Sequence, residues 1–490
     1  MNLDAIFQPS ATDVPYEYDE DFIVSMICRI DSYKFSHPFA YPDEVGGRKI
    51  MGMTSYGSAR VKSSETIIPA GMQMFAKRYL TQRVTQAHVE AAEAFTVGHF
   101  GRKLFAREAW EKVVSKYDGF LPLIIRALPE GTRARGGLPL YSVTVLDEDL
   151  FWMSASFETP IQRAIWYPTT IATMDYAIKR EIYQMYLTTG ADMSLLPFSL
   201  HDFGGRGVTS GESAEIGGFA HTINFQGSDT VEGILAANHF YKSPMAAFSV
   251  YATEHAVECS FGGGEEDALR YIRKQLSNAV EGGIISIVID GYDVYREAEL
   301  LCTTLRDEII ATKAKVVFRP DSGDMQEVVP RLLRMQEMAF GSVTNDKGFR
   351  RINTVGVIQG DGVNHLAIRS LLGKIMTMGF SADNVIFGSG GALLQKLDRD
   401  TFKFAQKACA LLLDDGGWFG IAKNPITDPG KKSMEGVMTT IQSKMTGELS
   451  AARLDLGPLD SDFEDQMVLV YHCGRLFNET TLEEIRARCA

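Results

Sequence analysis

Four short apolar runs in the second half of the chain each end on a small cluster of Asp, Arg, Ser or Gly. Residues 284–289 run into Asp290-Gly291-Tyr292-Asp293, and residues 316–318 into Arg319-Pro320-Asp321-Ser322-Gly323. Residues 355–359 run into Gly360-Asp361-Gly362, and residues 385–387 into Gly388-Ser389-Gly390-Gly391. Carboxylates, an arginine and Gly-rich backbone together suit a phosphorylated sugar accompanied by a metal ion. For these clusters to meet, the runs must be neighbouring strands. Each run is short, β-branched and bounded by turn residues, as a buried strand is. Helix-patterned segments at 292–313, 325–338 and 365–378 separate them. Parallel strands joined by helices gather their chemistry at the strands' carboxyl ends.

Each cluster also has a plainer reading. Gly388 to Gly391 precedes an apolar helical start, so its backbone N–H groups could cradle an anion, yet a Gly-rich turn after a strand is common. Gly360-Asp361-Gly362 is a tight turn or a carboxylate gripping sugar hydroxyls. Arg319 and Asp321 need partners, since unpaired buried charge is costly, and a mutual ion pair would satisfy both. Asp293 reads as a helix cap, which leaves Asp290 as the better ligand candidate. The stretch His201-Asp202-Phe203-Gly204-Gly205-Arg206-Gly207 offers a flat apolar ring and a cation, or an exposed turn. Asp229, in Gly227-Ser228-Asp229-Thr230, is a lone carboxylate or a cap. His255 ends an apolar stretch, where pattern alone favours a packing role over a catalytic one. Two further segments are decoys. The run 411–413 into Asp414-Asp415-Gly416-Gly417 lacks the hydroxyl-rich end of a phosphoribosyl pyrophosphate loop and reads as a strand and turn. Gly262-Gly263-Gly264 is flanked by Glu265, Glu266 and Asp267, which would repel phosphate.

The wider pattern predicts an α/β unit over 166–399 and an α+β domain built from both chain ends, 1–165 and 400–490. Helical periods fall at 72–84 and 87–97, strand-like runs at 121–128 and 138–145, and a final helix at 482–489. Residues 151–196 are helical, with Phe151, Trp152, Trp166 and Tyr183 as aromatic anchors. Of 490 residues, 45% are hydrophobic and 23% charged, with a net charge of −13. That acid excess argues against a general binder of nucleic acid or anionic membrane, while leaving room for a local basic pocket. The six cysteines lack metal-knuckle or redox spacing, as expected of reduced thiols in a cytoplasmic protein. Residues 1–22 have neither the basic start nor the apolar segment of a signal peptide. No apolar run approaches the ~20 residues that span a bilayer.

Taken together and in this order, these motifs resemble the nicotinamide phosphoribosyltransferase family, a group of type II phosphoribosyltransferases. The resemblance runs from Asp31-Ser32-Tyr33-Lys34 to about Ser433 and is strongest at 201–207, 227–230, 319–323, 358–362 and 387–400. It implies an irregular α/β barrel with an α+β domain, acting as a head-to-tail homodimer with active sites at the interface. The implied reaction joins nicotinamide to 5-phosphoribosyl-1-pyrophosphate, giving nicotinamide mononucleotide and pyrophosphate in NAD salvage, with magnesium. By the same resemblance, Phe203 and the partner subunit's Tyr33 sandwich the pyridine ring, and Asp229 accepts from the carboxamide. Ser286 and Arg319 line that pocket. Asp321, Gly360 and Asp361 contact ribose, and Gly390 and Gly391 hold the 5′-phosphate. Arg206, Arg399 and Lys407 contact phosphate or pyrophosphate, with Arg60, Lys423 and Lys431 in addition. Asp290 and Asp321 lie where a magnesium shell would be, through water. His255 matches a histidine that is phosphorylated when ATP hydrolysis is coupled to synthesis.

The chain departs from the family pattern at Gly205, where an aromatic is familiar, at Tyr251, where Pro is familiar, and at Ala256, where Ser is familiar. These bear on rim contacts and on ATP coupling. The extension before Asp31 receives no role. Rival readings are a nicotinate phosphoribosyltransferase, a phosphosugar isomerase or aldolase barrel, and a non-catalytic interaction protein on the same scaffold. The second would need a base or Schiff-base lysine at a strand end, and the four clusters contain none.

Overall fold

The computed structural model describes residues 18–428 and 431–490. The expectation of an acidic lead-in without a signal peptide falls mostly on residues outside that range. The chain divides into two compact units, Ile171–Asp398 and Met1–Thr170 with Arg399–Ala490.

The first unit is built on seven parallel strands: β1 Leu200–Asp202, β2 Gly227–Ser228, β3 Tyr251–Ala252, β4 Ile284–Val288, β5 Lys315–Arg319, β6 Val355–Gln359 and β7 Val385–Ser389. They pair in the order β2-β1-β7-β6-β5-β4-β3. The two edges meet through Phe248, whose N–H donates to Gln226 O at 2.8 Å and whose carbonyl accepts from Ser228 N at 3.1 Å. The strands therefore follow one another in chain order round an irregular barrel. Alternation along each strand separates two faces. Ile285, Ile287, Val316, Phe318, Val355, Val357, Val385 and Phe387 join the core packed under the helices. Ser286, Arg319 and Gly388 fall on the opposite, inner face.

The covering helices are amphipathic. Met325–Phe340 buries Val328, Val329, Leu332, Leu333, Gln336 and Phe340, a stripe at helical spacing. Gln336 Nε2 ties that helix to β6 by donating to Gly356 O at 2.9 Å. The expected helix 292–313 is two helices, Val294–Cys302 and Arg306–Thr312. The break falls at Thr303-Thr304, β-branched residues with poor helix propensity, where Leu305 N turns back to Leu300 O at 2.9 Å. Asp293 caps the first of these, accepting from Tyr295 N and Arg296 N.

The second unit centres on an eight-stranded sheet. Its strand Phe404–Leu413 pairs antiparallel with Arg48–Ala59, so both ends of the chain share one sheet. The segment 414–417 is the turn of a hairpin between Phe404–Leu413 and Trp418–Gly420. The expected helix 72–84 is shorter, an α turn Met72–Phe75 running into a π turn Ala76–Leu80. Residues 151–196 divide into Met153–Ser156, a long helix Glu158–Thr189 and a 3-10 turn Met193–Phe198. Phe151 and Trp152 are buried as expected, but Tyr183 is exposed and anchors nothing. Each unit has its own hydrophobic core. Among the described residues, no helix is long and apolar enough to cross a bilayer.

Candidate active site

All seven barrel strands point their carboxyl ends the same way, so the turns after them form one rim. Phe203 follows β1, Asp229 follows β2, His255 lies beyond β3, and Asp290 follows β4. Asp321 follows β5, whose last residue is Arg319; Gly360 and Asp361 follow β6, and Gly390 and Gly391 follow β7. Ser286 lies inside β4, 3% exposed, and its hydroxyl has no partner.

Phe203 is held by its neighbours. Its N–H donates to Ser389 O at 2.9 Å, which fixes the β1 turn to β7. Its ring occupies the space a side chain at Gly388 would need: a Cβ there would lie 2.0 Å from Phe203 Cε2. The Arg319 guanidinium stands 5.4 Å from the ring centroid, within cation–π range. Arg319 Nη1 donates to Thr253 O at 3.2 Å and Nη2 lies 3.8 Å from Asp321 Oδ2, while the buried Nε has no partner. These groups converge on one point. A Cβ on Gly360 would sit 2.8 Å from Asp321 Oδ1 and 3.9 Å from both Arg319 Nε and Phe203 Cε2. The glycine keeps that point open, with an aromatic face, a cation and a carboxylate around it.

Asp229 does not cap the helix Val231–Tyr241, whose N-cap is Thr230. Its N–H donates to Asp202 O at 2.9 Å, and its exposed carboxylate accepts from Ser249 Oγ. Beneath β2, the His201 ring fills the space that a side chain at Gly227 would take, and burial pushes His201 down to about 4, so it is neutral. Arg206 is exposed on the 3-10 turn Gly205–Gly207. That turn abuts the other glycine loop, since a Cβ on Gly207 would lie 3.1 Å from Gly391 Cα.

Asp290 is 2% exposed, and its oxygens are engaged. Oδ1 faces His255 Nε2 at 3.0 Å, while Oδ2 accepts from Asp321 N at 2.9 Å and Ser322 Oγ at 2.5 Å. A carboxylate only accepts, so Nε2 carries the hydrogen, and in the neutral ring Nδ1 is then the nitrogen with the lone pair. Burial holds Asp321 above the usual carboxylate range; Arg319 and His255 oppose this, and Asp290 and Asp361 add to it. Among the described residues, no three or more His, Cys, Asp or Glu side chains gather as a metal cage. Magnesium bound mainly by substrate phosphates needs only one or two carboxylates. Asp321 has a carboxylate open to that role, and Asp290, which already accepts from His255, Asp321 N and Ser322, could reach such an ion only through water.

The remaining candidates lie on the second unit. Tyr33 is 56% exposed. Next to it, buried Lys34 meets Glu158 at 3.3 Å, and Lys407 meets the same carboxylate at 3.3 Å. Arg60 Nε donates to Lys403 O at 3.2 Å, and Arg399 pairs with Asp400 at 3.0 Å. Lys423 is exposed, and Lys431 pairs with Asp428 at 3.0 Å. Sequence reasoning missed Ser249 and Thr253, and read Gly388 only as part of the glycine turn rather than as the seat of the Phe203 ring. Gly388 was visible as a glycine inside a strand, a sign of close approach; Ser249 and Thr253 carry no such mark.

Residues 198–474 match the nicotinate phosphoribosyltransferase (NAPRTase) family. The chain belongs to this family. As a NAPRTase-family member it also matches, over residues 25–125, the N-terminal domain of nicotinamide phosphoribosyltransferase. It is 39% identical to the nicotinamide phosphoribosyltransferase of Xanthomonas campestris pv. campestris over 95% of this chain and 98% of that protein. It is 29% identical to the protein of the same name from Acinetobacter baylyi over 96% and 98%. Among solved structures, nicotinate-nucleotide pyrophosphorylase from Pyrococcus furiosus shares the NAPRTase-type fold, with a TM-score of 0.60 at 15% identity over 97% of this chain and 96% of that one. Human nicotinic acid phosphoribosyltransferase does so at 0.52 and 15%, covering 94% and 92%.

Proposed function

We propose that this protein is a nicotinamide phosphoribosyltransferase, converting nicotinamide and 5-phosphoribosyl-1-pyrophosphate to nicotinamide mononucleotide and pyrophosphate. The observation that carries this reading is the open point at Gly360, ringed by Phe203, Arg319 and Asp321, with Asp229 on the same rim. The pyridine nitrogen has a free lone pair and needs no base. It attacks the anomeric carbon, forming the N–C bond as the C–O bond breaks, and the bonding electrons leave with pyrophosphate. Catalysis then rests on positioning and charge stabilisation. Phe203 holds the ring on the attack line by stacking. Asp321 and Asp361 face the ribose hydroxyls, and the glycine loop at Gly390-Gly391, with Arg206 beside it, receives the 5′-phosphate. Magnesium, held by substrate phosphates and by Asp321, with Asp290 reached through water, would supply positive charge to the leaving group. Asp229 accepts from a carboxamide and repels a carboxylate, which favours nicotinamide over nicotinate.

In this reading the protein acts as a homodimer. A second copy contributes its exposed Tyr33 to the other face of the base, and Arg60, Arg399, Lys407, Lys423 and Lys431 serve the phosphates, with Arg forks suited to them. ATP stimulates synthesis by phosphorylating His255. The Nδ1 lone pair attacks the γ-phosphorus, the bond to the β–γ bridging oxygen breaks, and ADP leaves while Nε2–H stays on Asp290.

The test is synthesis from an equimolar mixture of nicotinamide and nicotinate with phosphoribosyl pyrophosphate and magnesium, with and without ATP. Nicotinamide mononucleotide should predominate. Nicotinate mononucleotide as the main product, or no turnover, would overturn the reading.

A further inference from the structure

Behind His255 lies a pair of buried acids to which the proposed reaction gives no part. His255 opens a five-residue helix, His255–Cys259, and is 44% exposed. One turn on, Glu258 points inward and is 3% exposed. Both its oxygens accept the N–H of Gly291, at 3.0 and 3.1 Å, on the residue after Asp290. The approach is close: a Cβ on Gly291 would lie 2.5 Å from the Glu258 carboxyl and would push it aside. Glu297, from Val294–Cys302, is 4% exposed and reaches the same carboxyl. Both acids line one small cavity, and among the described residues no donor meets the buried Glu297 Oε2.

We propose that Glu258 and Glu297 form a carboxyl–carboxylate pair that locks the His255 helix to the Asp290–Gly291 turn and thereby positions His255 for phosphoryl transfer from ATP. The inference rests on the ATP-coupled role given to His255 above. Two acids in contact away from water cannot both ionise, so one proton is shared between them. Burial raises Glu297, and the neighbouring Glu258 adds to it; burial raises Glu258 as well. The surrounding charges act both ways. Asp290 and Asp293 reinforce retention of that proton, His255 opposes it at Glu258, and Arg296, paired with Glu265, lines with it the small cavity, about 100 Å³, next to the pair. A protonated carboxyl donates one hydrogen bond and is matched in shape by an amide. The pair therefore does what a Gln–Glu contact could do, and neither acid touches substrate: these are positioning residues.

The experiment measures acid-labile phosphate on the full-length protein incubated with γ-labelled ATP and magnesium. It compares the natural protein with Glu258→Ala, Glu297→Ala, Glu297→Gln and His255→Ala, after thermal unfolding has verified that each is folded. Since a misplacement of about 1 Å can cost on the order of 10²-fold in rate, both Glu→Ala variants should label at least about tenfold more slowly. Glu297→Gln, whose amide replaces the shared proton, should label at close to the natural rate. Labelling of the two alanine variants at the natural rate overturns the pair's role, as does a Glu297→Gln variant as slow as Glu297→Ala. A His255→Ala protein that labels like the natural one overturns the ATP reading instead. If Glu297→Ala does not fold, Glu258→Gln, which still accepts from Gly291 but offers Glu297 an amide, must keep labelling.

Discussion

The placement of Phe203 by Gly388 yields the sharpest prediction. A Gly388→Ala substitution puts a Cβ 2.0 Å from Cε2, 2.4 Å from Cδ2 and 2.9 Å from Cζ of the Phe203 ring. Non-bonded carbons settle at about 3.5–4.0 Å, so the ring edge must retreat by roughly 1.5–2 Å. Gly388 sits inside β7, pinned to β1 through Phe387, Gly388 and Ser389, so the strand gives less readily than the ring. The main chain of Phe203 is held by its N–H bond to Ser389 O, so the ring retreats by rotating about its side-chain bonds. Overpacking of this kind costs about 1–3 kcal/mol of stability. A base stacked on a ring displaced by more than 1 Å leaves the attack line, which costs on the order of 10²-fold in kcat/KM for nicotinamide. The effect should be selective, with KM for phosphoribosyl pyrophosphate changing far less. Steady-state kinetics with each substrate varied, together with thermal unfolding, measures both. A folded Gly388→Ala protein with unaltered kcat/KM for nicotinamide would show that the base does not rest on Phe203.

Three further outcomes follow from the same geometry. Asp229→Asn should lower the preference for nicotinamide over nicotinate by about 10–100-fold, the worth of one charge-assisted hydrogen bond, with little change in phosphoribosyl pyrophosphate affinity; paired-base kinetics measures the ratio. His255→Ala should bring the ratio of ATP-stimulated to unstimulated synthesis down to one, and a ratio above one in that variant would leave the histidine a packing residue. In the second unit, Asp147 is 2% exposed and accepts from Lys112, Lys116 and Tyr117 at 2.7, 2.9 and 2.7 Å. Burial alone would raise its carboxyl, but those donors outweigh it and hold the group well below the usual carboxylate range. A depressed folded value means stability that is present above the unfolded value and lost as pH falls. Asp147→Asn should therefore cost about 1–3 kcal/mol at neutral pH, and the gap in urea unfolding should narrow below about pH 4.

The four long barrel strands were legible because β-branched runs bounded by turn residues leave few alternatives. β1, β2 and β3 are three, two and two residues long, too short for any period to show. They are held by the sheet around them rather than by their own sequence. Phe203, Asp229, Arg319 and the glycine turns announced themselves through residue type at strand ends. The partners that aim them did not: the Ser249 hydroxyl that bonds Asp229 and the Thr253 carbonyl that accepts from Arg319 are ordinary groups until the barrel folds. Tyr183 shows the opposite error, since aromatic character alone does not say which side of a helix faces the core. Asp290 shows a subtler limit: its place at a strand end was legible, but the donors that already occupy its oxygens were not.

The central claim is that a flat heterocycle rests on Phe203 within reach of Asp229 and Arg319. A crystal structure of the protein with nicotinamide mononucleotide bound tests this directly. It should show the pyridine ring stacked on Phe203, the carboxamide nitrogen hydrogen-bonded to Asp229, and the phosphate at Gly390-Gly391. A nucleotide whose base lies away from Phe203, or whose phosphate occupies another loop, would contradict the account.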